Sequence, residues 1–251
     1  MQTTIKKLRE WGKIGDNELF FRRAKNIEKR LEKMDKKEKP KQIQDIPVSF
    51  EVKTRSGKDV LRIEGLDIDI KDRSLLKKVY LNIKYQEKVC LIGKNGTGKS
   101  TLIQTILECI KKENPGIRIG SKVSIGYIPQ NIQFSNEKET LFSFTKSFYN
   151  GEENHLRSAL AKFHFPKNTI FKKIEQLSGG EKVRLKLFEL IEKKANFLIL
   201  DEVTNHIDIK TKEILEEALL QFQGTILFIS HDRYFINKIA TKILSIEKET
   251  I

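Results

Sequence analysis

The chain has 251 residues, 48 of them Lys or Arg against 34 Asp or Glu, for a net charge of +14 with 38% hydrophobic content. That length allows one large domain, or a domain with an appendage, and the apolar content rules out wholesale disorder. No apolar run approaches the ~18–20 residues that span a bilayer, and the two cysteines, Cys90 and Cys109, exclude a disulfide scaffold, so a cytoplasmic protein without membrane insertion is expected.

The first residues, MQTTIKKLREWG, hold no apolar core long enough for a signal peptide. Residues 1–41 carry fourteen basic and seven acidic side chains, so a sixth of the chain holds half of the net charge. Within them Phe20, Ala24, Ile27, Leu31 and Met34 recur at spacings of 4, 3, 4 and 3, a heptad-like stripe on one face of a helix. Asp16 or Asn17 can cap its start after Gly12 and Gly15, and Pro40 stops it. Two heptads are too short to hold a helix alone, so the stripe calls for a partner helix, expected outside this chain. The basic faces suit an anionic partner, either nucleic acid or a membrane surface.

From about residue 48 short β-rich runs follow: Ser49–Val52, Val60–Ile63, Leu66–Ile70, Val79–Ile83 and Lys88–Ile92, with a turn at Arg55-Ser56-Gly57-Lys58. A helix is predicted over Thr101–Ile110 and a strand over Val123–Ile128. Further helical signals then alternate with the apolar strands Phe197–Leu200 and Thr225–Ile229. That alternation predicts an α/β domain with a mainly parallel sheet.

Gly93-Lys94-Asn95-Gly96-Thr97-Gly98-Lys99-Ser100 matches the phosphate-binding loop G-x-x-x-x-G-K-[ST]. Its glycines let backbone N–H groups turn onto phosphate oxygens, Lys99 reaches the β- and γ-phosphates, and the Ser100 hydroxyl ligates Mg²⁺. A predicted strand precedes the loop and a predicted helix follows it, as the motif requires. Phe197-Leu198-Ile199-Leu200-Asp201-Glu202 is an apolar strand ending in two acids, 102 residues after Lys99. Asp201 suits the Mg²⁺ shell, and Glu202 is the candidate general base beside the γ-phosphate. Leu177-Ser178-Gly179-Gly180-Glu181 places two glycines at a helix start, a second anion-binding N-terminus. His155, His164 and His206 show no metal-ligand spacing, so no structural zinc is expected.

Together these three motifs resemble the ATP-binding-cassette (ABC) ATPases, and the resemblance covers nearly the whole chain. It implies that ATP, with Mg²⁺, is bound by Gly93 to Thr101, and that Ser100, Gln130 and Asp201 serve the metal. It also implies that Gln130 contacts the attacking water and that His231 hydrogen-bonds the γ-phosphate. Ser178, Gly179 and Gly180 would close on the nucleotide of a second ABC domain, supplied by the same protein or by a homodimer. The implied fold is a P-loop ATPase with a mainly parallel core, a small antiparallel β part, a helical subdomain over about 131–180 and an N-terminal helical arm. The implied domains are a linker segment, 1–41, and an ABC domain, 42–251.

Glu181, the run Asp201-Glu202-Val203-Thr204-Asn205-His206-Ile207-Asp208 and Ser230-His231-Asp232-Arg233-Tyr234-Phe235 are most similar to the ABC-F branch, soluble ATPases of translation and antibiotic resistance. In that light, Arg22–Met34 with Pro40 resembles the end of the linker between two ABC domains. The implied partner is the ribosome, with the basic arm against rRNA or tRNA, and the Gly93-Lys94-Asn95-Gly96 wording resembles ribosomal-protection members. The alternatives are the ATPase subunit of a membrane transporter, a DNA-repair ABC ATPase, or an isolated half that binds ATP without turning it over. Three departures stand out. Val203 replaces the family's usual Pro, Ile70 falls where an adenine-stacking aromatic is usual, and the chain ends at Ile251 where relatives commonly continue.

Overall fold

The structure, a computed structural model, describes residues 57–70, 73–110, 112, 114–205 and 207–246. The helix and strand predicted before residue 57 lie outside these residues, as do Arg55 and Ser56 of the predicted Arg55–Lys58 turn. All described residues belong to the unit Val48–Ile251.

Strands β1 (Asp59–Ile70) and β2 (Arg73–Lys84) pair antiparallel, and the short β4 (Ile117–Ile119) adds to the free edge of β1. The expected separate strands Val60–Ile63 and Leu66–Ile70 are one strand. A register shift between Glu64 and Leu66 absorbs Gly65 without breaking the pairing. Val79–Ile83 is likewise only the end of the longer β2.

The second sheet has five parallel strands: β5 (Ile125–Ile128), β6 (Phe197–Asp201), β7 (Thr225–Ile229), β3 (Lys88–Ile92) and β8 (Lys242–Ser245), in that spatial order. β6 and β7 are buried along their whole length, which is why they read as unbroken apolar runs. Their side chains still alternate between two cores. Phe197, Ile199, Leu227 and Ile229 join the antiparallel sheet and helix α1 (Lys99–Glu108), through Leu102, Ile103 and Ile106. Leu198, Leu200, Ile226 and Phe228 face the opposite core with helices α4 (Gly179–Glu192), α5 (Ile209–Gln221) and α6 (Arg233–Ile239). The architecture is therefore α/β, with a parallel sheet and a small antiparallel one, as the sequence predicts.

Between β5 and α4 lie α2 (Leu141–Lys146), α3 (Glu153–Lys162) and a 3₁₀ turn at Ile174–Gln176. Thr140 caps α2 by accepting from the Ser143 amide, 3.1 Å. The Phe188 ring of α4 meets Phe163 edge-on at 5.2 Å, Phe148 at 6.2 Å and Tyr149 at 6.3 Å, which ties these helices to α4. At the end of α5, Lys88 Nζ donates to the carbonyls of Leu219 and Leu220 at 2.7 and 3.0 Å, filling acceptors that a helix C-terminus leaves open.

Candidate active site

Strand order assembles the site. In a parallel sheet all C-terminal strand ends share one edge, and ligands bind beyond that edge. β5, β6, β7 and β3 are consecutive neighbours, so the segments following them lie side by side. These are Gln130 after β5, Asp201 and Glu202 at the end of β6, His231 after β7, and the Gly93–Ser100 loop after β3.

The loop turns into α1 at Gly98, whose φ of 93° is the left-handed conformation that glycine adopts without strain. The helix begins at Lys99, two residues before the predicted start, and stops at Glu108 rather than Ile110. Gly98 has no side chain to cap α1, which leaves first-turn amides at its N-terminus for an anion. Lys99 is only 5% exposed, and its ammonium donates to the carbonyls of Gly93 and Lys94, 2.9 Å each. Thr97 Oγ1 also donates to the Lys94 carbonyl at 2.9 Å, while Lys94, Asn95 and Gly96 form the exposed tip. Thr101, half-buried, lies in the first turn of α1.

Ser100 Oγ donates to Asp201 Oδ1 at 3.2 Å, joining the two residues that the sequence pairs for Mg²⁺. Burial pushes the Asp201 carboxyl above the usual carboxylate range; the Ser100 bond and Lys99 oppose the rise, and neighbouring Glu202 adds to it. A hydroxyl and a buried carboxylate beside a second carboxylate form a hard, oxygen-only donor set of the kind that binds Mg²⁺. No group of three His, Cys, Asp or Glu that could cage a metal occurs among the described residues. Mg²⁺ takes one or two protein ligands and draws the rest from phosphates and water, a demand that Ser100 and Asp201 fit.

Glu202 holds φ at 50°, a left-handed conformation uncommon for a non-glycine residue. Its amide donates to the Ile229 carbonyl of β7 at 3.1 Å. Three side chains surround its carboxylate. Asn205 Nδ2 and Gln130 Nε2 donate to Oε2 at 2.8 and 3.3 Å, and His231 Nε2 stands 3.4 Å from Oε1. The structure thus brings Gln130, Glu202 and His231 together, as the sequence order implies. Asn205 carries no assigned role from sequence; the only signal was an amide three residues after an acid, at turn spacing.

The helix start read at Ser178–Gly180 is that of α4, and Ser178 caps it. The Glu181 amide donates to Ser178 Oγ at 3.2 Å and the Ser178 amide to Glu181 Oε2 at 2.8 Å, a capping box. Because Ser178 Oγ accepts there, its own proton is free for an external acceptor. A Cβ on Gly180 would stand 2.7 Å from Thr211 Oγ1 and 3.1 Å from Asp208 Oδ2, so only glycine lets α4 and α5 start side by side. A Cβ on Gly179 would meet nothing within 4 Å, so this glycine faces open space. Among the described residues no hydrogen bond joins Ser178, Gly179 or Gly180 to the phosphate loop. Gln130, Gly179, Lys182, Val203 and Asn205 instead line a cavity of about 340 Å³ between the start of α4 and the segments that follow β5 and β6. The side chain of Ile70 and the whole of His206 lie outside the described residues.

A sequence profile of the family described as "ABC transporter" matches residues 76–205. The chain is 40% identical over 233 residues to an ATP-binding protein, YdiF, of Bacillus subtilis, covering 92% of this chain and 36% of that protein. It is 34% identical over 231 residues to "ABC transporter F family member 5" of Arabidopsis thaliana, covering 90% and 33%. It is 37% identical over 207 residues to "ATP-binding protein Uup-like" of Haemophilus influenzae, covering 80% and 45%. The chain therefore spans less than half the length of each of these curated relatives. Among solved structures, a nucleotide-free ATP-binding cassette from an ABC transporter aligns with a TM-score of 0.62 at 17% identity, covering 77% of this chain and 89% of that one. A bacterial Atm1-family ABC exporter with ATP bound aligns at 0.65 and 18% identity, covering 78% and 38%. At such identities the two structures establish the P-loop fold alone.

Proposed function

The chain belongs to the ABC transporter family, as an ATP-binding domain, and we propose that it is the second ABC domain of an ABC-F protein that hydrolyses ATP on the ribosome. Domains of this family are ATPases in general and work in pairs. The observation that carries the ATPase assignment is the Glu202 carboxylate, held by Gln130 and Asn205 and approached by His231 at the edge where the phosphate loop also ends. The F-family and Uup names of relatives at 34–38% identity support the ABC-F branch over a transporter subunit. No helix among the described residues is long and apolar enough to cross a membrane.

In this function Lys99 and the N-terminus of α1 bind the β- and γ-phosphates, and Ser100 and Asp201, with Gln130, hold Mg²⁺. The metal, when bound, neutralises charge on the phosphate oxygens. Glu202 accepts a proton from the water that attacks the γ-phosphorus in line, and the bond to the bridging oxygen breaks to leave ADP and phosphate. His231 orients the γ-phosphate. Ser178 and the open Gly179 close on the nucleotide of the opposite domain, so ATP holds the pair shut and hydrolysis releases it. The basic segment 1–41 neutralises rRNA or tRNA phosphates, in a role of ribosomal protection or translational control.

Ribosome co-sedimentation of the longer protein carrying both ABC domains tests this function. Glu202→Gln should keep ATP binding and pellet with ribosomes only when ATP is present. Equal pelleting with and without ATP would contradict the switch.

A further inference from the structure

Oε2 of Glu202 accepts from two amide donors, and the shorter of the two bonds, 2.8 Å, comes from Asn205. Oε1 meets only the 3.4 Å approach of His231. A carboxylate offers about four lone-pair sites, two on each oxygen. Two donors fill Oε2, so a water can be received in good geometry only at Oε1. The side on which the base works is set by what occupies the other oxygen.

The backbone explains why Asn205 reaches that oxygen. The Asn205 amide donates to the Glu202 carbonyl at 3.1 Å, closing a turn over residues 202–205. The turn is anchored at each step. The Glu202 amide is bonded to β7, the Val203 side chain is buried at 4% exposure, and the hydroxyls of Thr204 and Ser230 are 3.0 Å apart. The left-handed φ of Glu202, 50°, is unfavourable for a residue with a Cβ. Strain of this kind persists where surrounding contacts hold it, and it clusters at functional sites. Here it turns the Glu202 side chain back over the turn, into reach of the Asn205 amide.

We propose that Asn205 is a positioning residue for hydrolysis: its side-chain amide, with that of Gln130, occupies Oε2 of Glu202 and fixes Oε1 as the oxygen that takes the proton from water. The proposal rests on Glu202 being the base. Water oxygen bonds to the γ-phosphorus, one water proton passes to Oε1, and the bond to the β–γ bridging oxygen breaks with its electron pair left on ADP. Asn205 exchanges no proton.

The test compares Asn205→Ala and Asn205→Asp in the protein with both ABC domains. Asp has the size of Asn and favours the same turn but cannot donate from an N–H. Both variants should lower kcat about 10- to 100-fold, with KM and the affinity for a non-hydrolysable ATP analogue changed less than about twofold. A carboxylate at 205 would also repel that of Glu202, so the deciding variant is Asn205→Ala: a wild-type kcat there would overturn the proposal. Should Asn205→Ala fold poorly, the amide signal of the next readout decides. A second readout needs no turnover. In the nucleotide-free protein the Asn205 side-chain amide NMR signal, identified by its loss in Asn205→Ala, should shift on Glu202→Ala; an unmoved signal would also overturn the proposal. Glu202→Gln separates the two ideas. Full turnover in that variant removes the base itself, whereas its loss alongside wild-type rates in both Asn205 variants removes only the role of Asn205.

Discussion

Lys99 has its ammonium on two carbonyls of its own loop, at 5% exposure, before any nucleotide is considered. The side chain is thus folded over the space it would share with phosphate, and a nucleotide exchanges two neutral acceptors for anionic ones, the stronger partners. Lys99→Met should therefore weaken ATP binding severely while leaving the fold intact, as isothermal titration and circular dichroism together would register. Cys90 behaves differently. Burial in the sheet pushes its thiol up to about 12, against a small opposing contribution from the Ser230 backbone. The thiolate is the nucleophile, so Cys90 should resist alkylation in the native state and react once the chain is denatured, as peptide mass mapping would show. Rapid native alkylation would mean that the β3 region opens readily.

The paired N-termini of α4 and α5 are the element on which the geometry makes the sharpest demand. Gly180→Ala would place a methyl 2.7 Å from Thr211 Oγ1, on a side chain that is itself buried, and should cost roughly 1–3 kcal/mol in denaturant unfolding. Gly179→Ala meets open space, so it should leave stability nearly unchanged and lower turnover only in the paired protein. Asp208, next to Gly180, caps α5 by accepting from the Thr211 amide and hydroxyl at 2.9 and 2.7 Å. Those bonds hold its carboxyl below the usual range. A depressed folded value means the contribution is complete above the unfolded value of about 3.9 and fades as pH falls through the folded one. Asp208→Ala should therefore cost about 1 kcal/mol at neutral pH, with the gap to wild type closing in strong acid. A gap that is constant down to that range would mean the charge plays no part. Further along α4, Phe188→Ala should cost about 3–5 kcal/mol, since that ring joins three others across the helices.

At the scale of the molecule, the site exists because four neighbouring parallel strands end on one edge, and that order was only partly legible in the sequence. β3, β6 and β7 are short, apolar and followed by chemistry-bearing residues, so periodicity and motif agreed on them. β4 has three residues and gave no periodic signal, and the Gly65 register shift made one strand look like two. The start of α4 was readable because two glycines follow Ser178, and the capping partner Glu181 is local to it. Asn205 was not, because its role depends on a left-handed Glu202 that no local pattern announces. The charge carries its own prediction. If residues 1–41 contact RNA, ribosome association should weaken steeply with salt and lose slope when their lysines are replaced. The measurement that bears most directly on the central claim is ATP turnover set against ATP binding in the paired protein for Glu202→Gln. With Glu202 as the base, nucleotide affinity should be unchanged and turnover down roughly 10²- to 10⁴-fold; turnover at the wild-type rate would contradict that role.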